Sequence, residues 1–291
     1  MTTISALPQI SPRRRRTDKV MRSLLLVATV IALVPLAFIV YYLLHKGLSA
    51  VTSSGFFSTD PNGNFFGNPG GIRSAILGTL EMIGLATAIS VPLGIGVALY
   101  LTEYGRESRF ANVIRYFVDV MTGVPSIVFG LFIYIVLVIS KIGGAFTGWK
   151  GAVAISLLML PIVIRSSEVV LLLVPSSLRE AALALGAPRW RVMLRVVLPT
   201  SLSGLITGSL LAVARGMGET APLLFTAAGA FALTGNLGAQ MNALPIQIYN
   251  DIQSPRNAII ARAWGAGLTL VALVLIINVI ARIASRRSRM A

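Results

Sequence analysis

Six predominantly apolar stretches recur along the chain, near residues 23–44, 74–101, 113–139, 151–174, 203–231 and 258–281. A helix needs about 20 such residues to cross the hydrocarbon core of a bilayer, so each stretch predicts one membrane-spanning helix. The first follows the basic run RRRRTDKVMR (13–22). A cleaved secretory signal has an apolar core of only about 7–15 residues and a small-residue cleavage site. The longer run therefore reads as a retained anchor. The expected organisation is a basic tail, 1–22, followed by a single membrane domain, 23–291, with its largest polar insertion at 175–202.

Composition agrees with the pattern. Of the 291 residues 55% are hydrophobic and 12% charged, with a mean hydropathy of +0.82, against roughly 25% charged in soluble domains. The net charge of +15 raises the question of nucleic acid, but its distribution points to lipid. Of 25 basic residues, 17 fall in the tail before 23, the 102–115 and 175–202 segments and the tail from Arg282. The intervening segments hold Lys46, Arg73, Lys141, Lys150, Arg256 and Arg262. Positive residues concentrate on the cytoplasmic side, which predicts that both termini are cytoplasmic. Tyr41, Tyr42, Tyr100, Tyr104 and Trp149 stand where aromatic belts would lie, and His45 reads as an interfacial polar residue. Cysteine is absent, which removes disulfides and thiol chemistry. No Walker-type phosphate loop occurs, since no lysine follows a glycine. Neither a metal nor an organic cofactor is implied, and nothing marks an enzyme.

The polar insertion reads VPSSLREAALALGAPRWRVMLRVVLPTS (174–201). Pro175 stops the fourth apolar run. Ser177 and Glu180 have the spacing of a capping box, the alanines and leucines that follow favour helix, and Gly186 suits a left-handed C-terminal cap. A second helix is expected from Pro188, with Trp190, Met193, Leu194 and Val197 on one side and Arg191 and Arg195 on another. Physics alone leaves two uses open: resting on the membrane surface, or docking a cytoplasmic partner.

Two apolar runs carry ionisable pairs: Arg165 with Glu168, and Arg215 with Glu219. Spacings of three and four place each pair on one helix face. A charge at the bilayer centre costs at least about 2.5–3.5 kcal/mol, while intramembrane polar contacts return only about 0.6 kcal/mol. Helix gluing is one reading. The other is an anion pathway, because arginine stays charged and its planar donor fork suits phosphate or carboxylate. Gly204, Gly208, Ala212, Gly216 and Thr220 form a small-residue ridge beside Arg215, against which a second helix should pack closely.

The spacing Glu180-Ala181-Ala182, Gly186, Val196, Leu198-Pro199 resembles the EAA loop of ABC-type importer permeases, with Val196 in place of the usual isoleucine. In that family the loop is a coupling helix seated in a groove of the ATPase subunit. GGIRSAILGTLEMIGLATAISVPLG (70–94), GVPSIVFGLF (123–132), LPIVIRSSE (160–168) and ARGMGETAPLLFTA (214–227) resemble phosphate-importer permeases of PstA type. The resemblance implies an all-α integral membrane fold of six transmembrane helices, the type I ABC importer permease (MetI-like) architecture of the bacterial inner membrane. It implies a phosphate pathway served by Arg165, Glu168, Arg215 and Glu219, and ATPase coupling through Glu180, Ala181, Ala182 and Gly186. It also implies partners: a sister permease of PstC type, two ATPases of PstB type and an outer phosphate-binding protein of PstS type, with no role for nucleic acid. Glu81 departs from the family pattern and reads either as a protonated or helix-paired carboxyl or as a transport group. Another oxyanion, a proton relay through Glu81, Glu168 and Glu219, and a membrane scaffold that moves nothing are the competing readings.

Overall fold

The computed structural model describes residues 12–62, 67–105, 108–230 and 232–287. Helix α1, Pro12–Val51, runs continuously from the basic segment into the first apolar run; residues 1–11 of the tail lie outside the described residues. Helix α2, Arg73–Leu99, continues as one wide π turn, Tyr100–Tyr104. Then come α3 (Arg109–Gly123), α4 (Ser126–Ile133, extended by a π turn Tyr134–Val138) and α5 (Gly148–Leu172). The 175–202 segment holds α6 (Ser176–Ala184) and α7 (Arg189–Val192). Helices α8 (Leu198–Met217), α9 (Ala221–Thr226), α10 (Leu244–Ile252) and α11 (Asn257–Arg287) complete the chain. No strand occurs among the described residues. Five helical stretches are long and apolar enough to cross a membrane, and the bent pair α3–α4 makes a sixth.

The expected third span, 113–139, is two helices meeting at 104°. Pro125 is the cause: proline excludes the helical conformation from the residue before it, and Val124 is extended (ψ 130°). The expected fifth span, 203–231, stops at Met217. Gly218, Glu219 and Thr220 break it, and helix resumes for only six residues with Pro222 in its first turn. The separate amphipathic helix expected from Pro188 is instead the first part of the fifth span. Residues Arg189–Met217 form one continuous rod, through a π turn at Met193–Val197. Pro199 offers no amide to the preceding turn, and a widened turn absorbs the mismatch. The capping box does not form either, because α6 starts two residues early, behind Pro175, and has no side-chain cap.

The core lies where α2, α5 and α8 meet, around Met82, Ile83, Ala86, Ile155, Met159, Val163, Ala212, Val213 and Met217. The small-residue ridge of α8 finds its partner in α5. A Cβ on Gly204 would sit 2.5 Å from Val170, one on Gly208 2.5 Å from Ser166 Oγ, and one on Gly216 2.9 Å from Ile155. Those three contacts fix the two helices as antiparallel and set their register.

At the end of the bundle away from α6, a buried polar network ties down residues 67–71 of the 52–71 segment. Arg262 donates through Nε and Nη2 to Asp251 at 2.8 and 2.7 Å, and through Nη1 to the Pro69 carbonyl. Gln247 Nε2 reaches Asp251 at 2.9 Å, and Asn242 Nδ2 reaches Gln247 at 2.6 Å. At the same end Lys150, fully buried, donates to the carbonyls of Leu137, Gly144 and Ala145 at 2.6–3.0 Å.

Candidate functional site: an arginine-lined face and a projecting helix

Helix α6 projects from the bundle with Glu180, Ala181 and Gly186 exposed and Ala182 half-buried against the core beneath it. Gly186 ends the helix as expected. Its φ of +79° is the left-handed cap that glycine adopts without strain, and the Ala187 amide returns to the Ala182 carbonyl at 3.3 Å. One residue of α6 points inward. Arg179 donates to the Leu171 carbonyl at the end of α5 (2.7 Å) and pairs with Glu103 in the π turn after α2 (2.9 Å). Helix α6 is thereby bolted to two spans at once. By sequence alone Arg179 is one cation among the four of the 175–202 segment.

Arg165 and Glu168 belong to a four-membered charge cluster between α3 and α5. Arg165 Nη1 donates to Glu168 Oε2 at 2.7 Å, and its Nε donates to Asp119 Oδ1 at 3.0 Å with Nη2 on the same oxygen. Arg115 Nε donates to Glu168 Oε1 at 2.8 Å and its Nη2 to the Leu101 carbonyl at 2.8 Å. Two positive and two negative groups alternate, and the cluster is formally neutral. Arg115 and Asp119 were missed because they lie on α3, far away in sequence. The available signal was the four-residue spacing of Arg115 and Asp119 on that helix.

Arg215 stands differently. Its side chain is 57% exposed, and its Nε lies 3.7 Å from Glu219 Oε1, an ionic contact too long for a hydrogen bond. Glu219 is past the end of α8, so the pair is not the helical one expected. The ridge beside it packs on α5, yet that packing leaves Arg215 open rather than burying it. Thr207, Leu211 and Arg215 recur at four-residue spacing along the exposed side of α8. Thr207 and Leu211 also line a groove of 1020 Å³ together with Arg165, Ser203, Ala214 and Arg282. Arg165 and Arg215 therefore share one open face but not one level. Gly208 faces Ser166 while Gly216 faces Ile155 and Met159, so about seven residues of helix, roughly 10 Å at 1.5 Å per residue, separate them. Glu81 on α2 is half-buried and has no ion-pair partner among the described residues. Among the described residues no cluster of potential metal ligands occurs.

The sequence around this face places it. Residues 90–290 match the family model described as binding-protein-dependent transport system inner membrane component. The chain belongs to that family. Within it, the chain is similar to the phosphate transport system permease protein PstA of Haemophilus influenzae, 40% identical over 93% of this chain and 94% of that one. It is 39% identical to the phosphate transport system permease protein PstA 1 of Mycobacterium tuberculosis, over 96% and 92%. The expected PstA-type resemblance holds along nearly the whole chain. Among solved structures, a chain of a bacterial alginate ABC transporter, crystallised with an alginate-bound periplasmic protein, superposes with a TM-score of 0.63. That match covers 94% of this chain and 96% of the other at 16% identity, a likeness of fold. The protein is thus a multi-pass inner-membrane permease component with the fold of the ABC importers.

Proposed function

We propose that the chain is the permease subunit of an ATP-driven importer of inorganic phosphate, with Arg165 and Arg215 as successive anion contacts along its open face. The observation that carries this is the state of Arg215: a permanent cation, half-way along the bundle, more than half exposed and loosely held by one carboxylate. Left against lipid it would cost at least about 2.5–3.5 kcal/mol. A water-filled path completed by a second permease subunit removes that cost and gives the guanidinium an anion to bind. Glu219 and Glu168 offset the positive field so that phosphate binds and still leaves.

Both termini and α6 lie on the cytoplasmic side in this reading. Glu180, Ala181, Ala182 and Gly186 form the surface that enters an ATPase subunit, and Arg179 carries the movement of α6 into the ends of α2 and α5. The assembly is a heterodimer with a PstC-type permease, two PstB-type ATPases and a PstS-type phosphate-binding protein on the outer side. ATP chemistry belongs to the ATPases.

The test is labelled phosphate uptake by Arg215→Gln membranes, with co-purification of the ATPase from the same membranes. Uptake lost with the ATPase still bound supports the pathway role. Joint loss of both assigns Arg215 to helix packing and refutes it. Competition by sulfate and molybdate in the wild type separates phosphate from other oxyanions.

A further inference from the structure

We propose that Asp119 is a built-in stand-in for the substrate: its carboxylate occupies the Arg165 guanidinium whenever phosphate does not, and later helps to eject the ion. The inference rests on the phosphate reading above.

The two carboxylates on Arg165 are not equivalent. The Glu168 side chain is 8% exposed, shares α5 with Arg165 at three-residue spacing, and is held from its other side by Arg115. It cannot leave without stranding a buried charge. The Asp119 side chain is 61% exposed and, among the described residues, its ion-pair partner is Arg165 alone. In the water-filled path proposed above that pair is open to solvent, and exposed ion pairs are worth only about 0–1 kcal/mol. Asp119 is the partner that can be exchanged.

Its helix can move. Of the fifteen residues of α3 only Ala111 and Val118 are buried, and the helix ends at the extended Val124-Pro125 joint. The charge balance then works as a switch. With Asp119 in place the cluster is neutral. With Asp119 withdrawn it carries one net positive charge, with the Nε donor of Arg165 free and Nη2 left with only its 3.4 Å contact to the Arg115 carbonyl. A guanidinium receives carboxylate and phosphate through the same paired donors, so the two compete for one edge. Arg165 also lines the groove that runs along α8 below Arg215, so an ion descending that face meets it there.

The test uses the assembled importer in proteoliposomes, with labelled phosphate outside and unlabelled inorganic phosphate preloaded inside at graded concentration. Asp119→Asn should lower the internal concentration that half-inhibits uptake by about fivefold, the factor an exposed ion pair at the upper end of its range can supply. Maximal uptake should fall with it, because release slows. Asp119→Glu, which restores the charge, should return inhibition toward wild type, and Asp119→Asn added to Arg165→Gln should have no further effect. Unchanged inhibition in Asp119→Asn, with Arg165→Gln still impairing uptake, overturns the stand-in role and leaves the phosphate reading standing. Full uptake by Arg165→Gln overturns the role of Arg165 in the pathway and the stand-in role with it. Failure of Asp119→Asn to assemble makes the pair a structural staple and also overturns the proposal.

Discussion

Arg179→Met tests the mechanical link between α6 and the bundle. The substitution keeps a long apolar stem but removes the donors to Leu171 O and the charge facing Glu103. Both side chains of the pair are largely buried, and removing one member of a buried pair costs about 3–5 kcal/mol. The lower figure is the appropriate one, because the pair sits at the end of the bundle. About 3 kcal/mol is slightly more than two factors of ten in an equilibrium constant. If Arg179 is what holds α6 down, its local opening equilibrium should rise by roughly a hundredfold. Hydrogen–deuterium exchange reads this directly at the amides of Leu185, Gly186 and Ala187, each hydrogen-bonded within the cap of α6. The exposed Glu180 and Ala181 are untouched, so ATPase binding should persist while transport per ATP hydrolysed falls. Exchange at those amides within about threefold of wild type would refute the reasoning, and coupling would then have to run through the packing of α6 on α7 and the π turn Met193–Val197. Glu103→Gln alone should mimic the effect more weakly, since the Leu171 carbonyl keeps its donor.

Four further outcomes follow from the packing and the polar networks. Gly208→Leu forces side-chain atoms into Ser166 Oγ, 2.5 Å from the position of a Cβ; overpacking costs about 1–3 kcal/mol, so the melting temperature of the detergent-purified complex should fall. Lys150→Met strips the donor from three carbonyls at about 1–3 kcal/mol for an unsatisfied group, and the same thermal assay should show a larger loss. Arg262→Met leaves Asp251 buried and unpaired, costing about 3–5 kcal/mol, and should free the 52–71 loop to protease. The Arg73 guanidinium donates to Asp60 and holds its carboxyl below the usual aspartate range. That contribution is complete above the ordinary aspartate pKa of about 3.9 and is lost only as pH falls through the lower folded value. Protease protection of the loop should therefore be flat from pH 7 to 5, and a decline within that interval would count against the pairing.

The sequence exposed the large-scale design because lipid imposes a coarse rule: each span must be apolar over a fixed length, and the six runs obey it. It also located Gly186 as a cap and the α8 ridge as a packing face, since both depend on local spacing. It failed where one proline or glycine outweighs hydropathy. Pro125 bends the third span, and Gly218 with Glu219 ends the fifth, although both stretches stay apolar on average. It failed again where partners come from distant segments. Asp119 and Arg165 are 46 residues apart, and Glu103 and Arg179 further still. Single-segment periodicity carries no information about such pairs.

The two pathway arginines differ in a way that fixes how they act in this reading. Their levels on the bundle are separated by roughly 10 Å, whereas a guanidinium–phosphate contact spans about 2.7–2.9 Å. Arg165 is moreover held toward α3 by Asp119, while Arg215 is loosely paired. One phosphate therefore meets them in turn, the freer arginine first and the more tightly held one second. Equilibrium binding of labelled phosphate to the purified complex separates this from a shared clamp. Successive sites predict two components, one removed by Arg215→Gln and the other by Arg165→Gln, with the surviving component unchanged in affinity. Loss of all binding from either single substitution, with the complex intact, would mean that both guanidinium groups grip one ion together, and the order derived from their levels would be wrong.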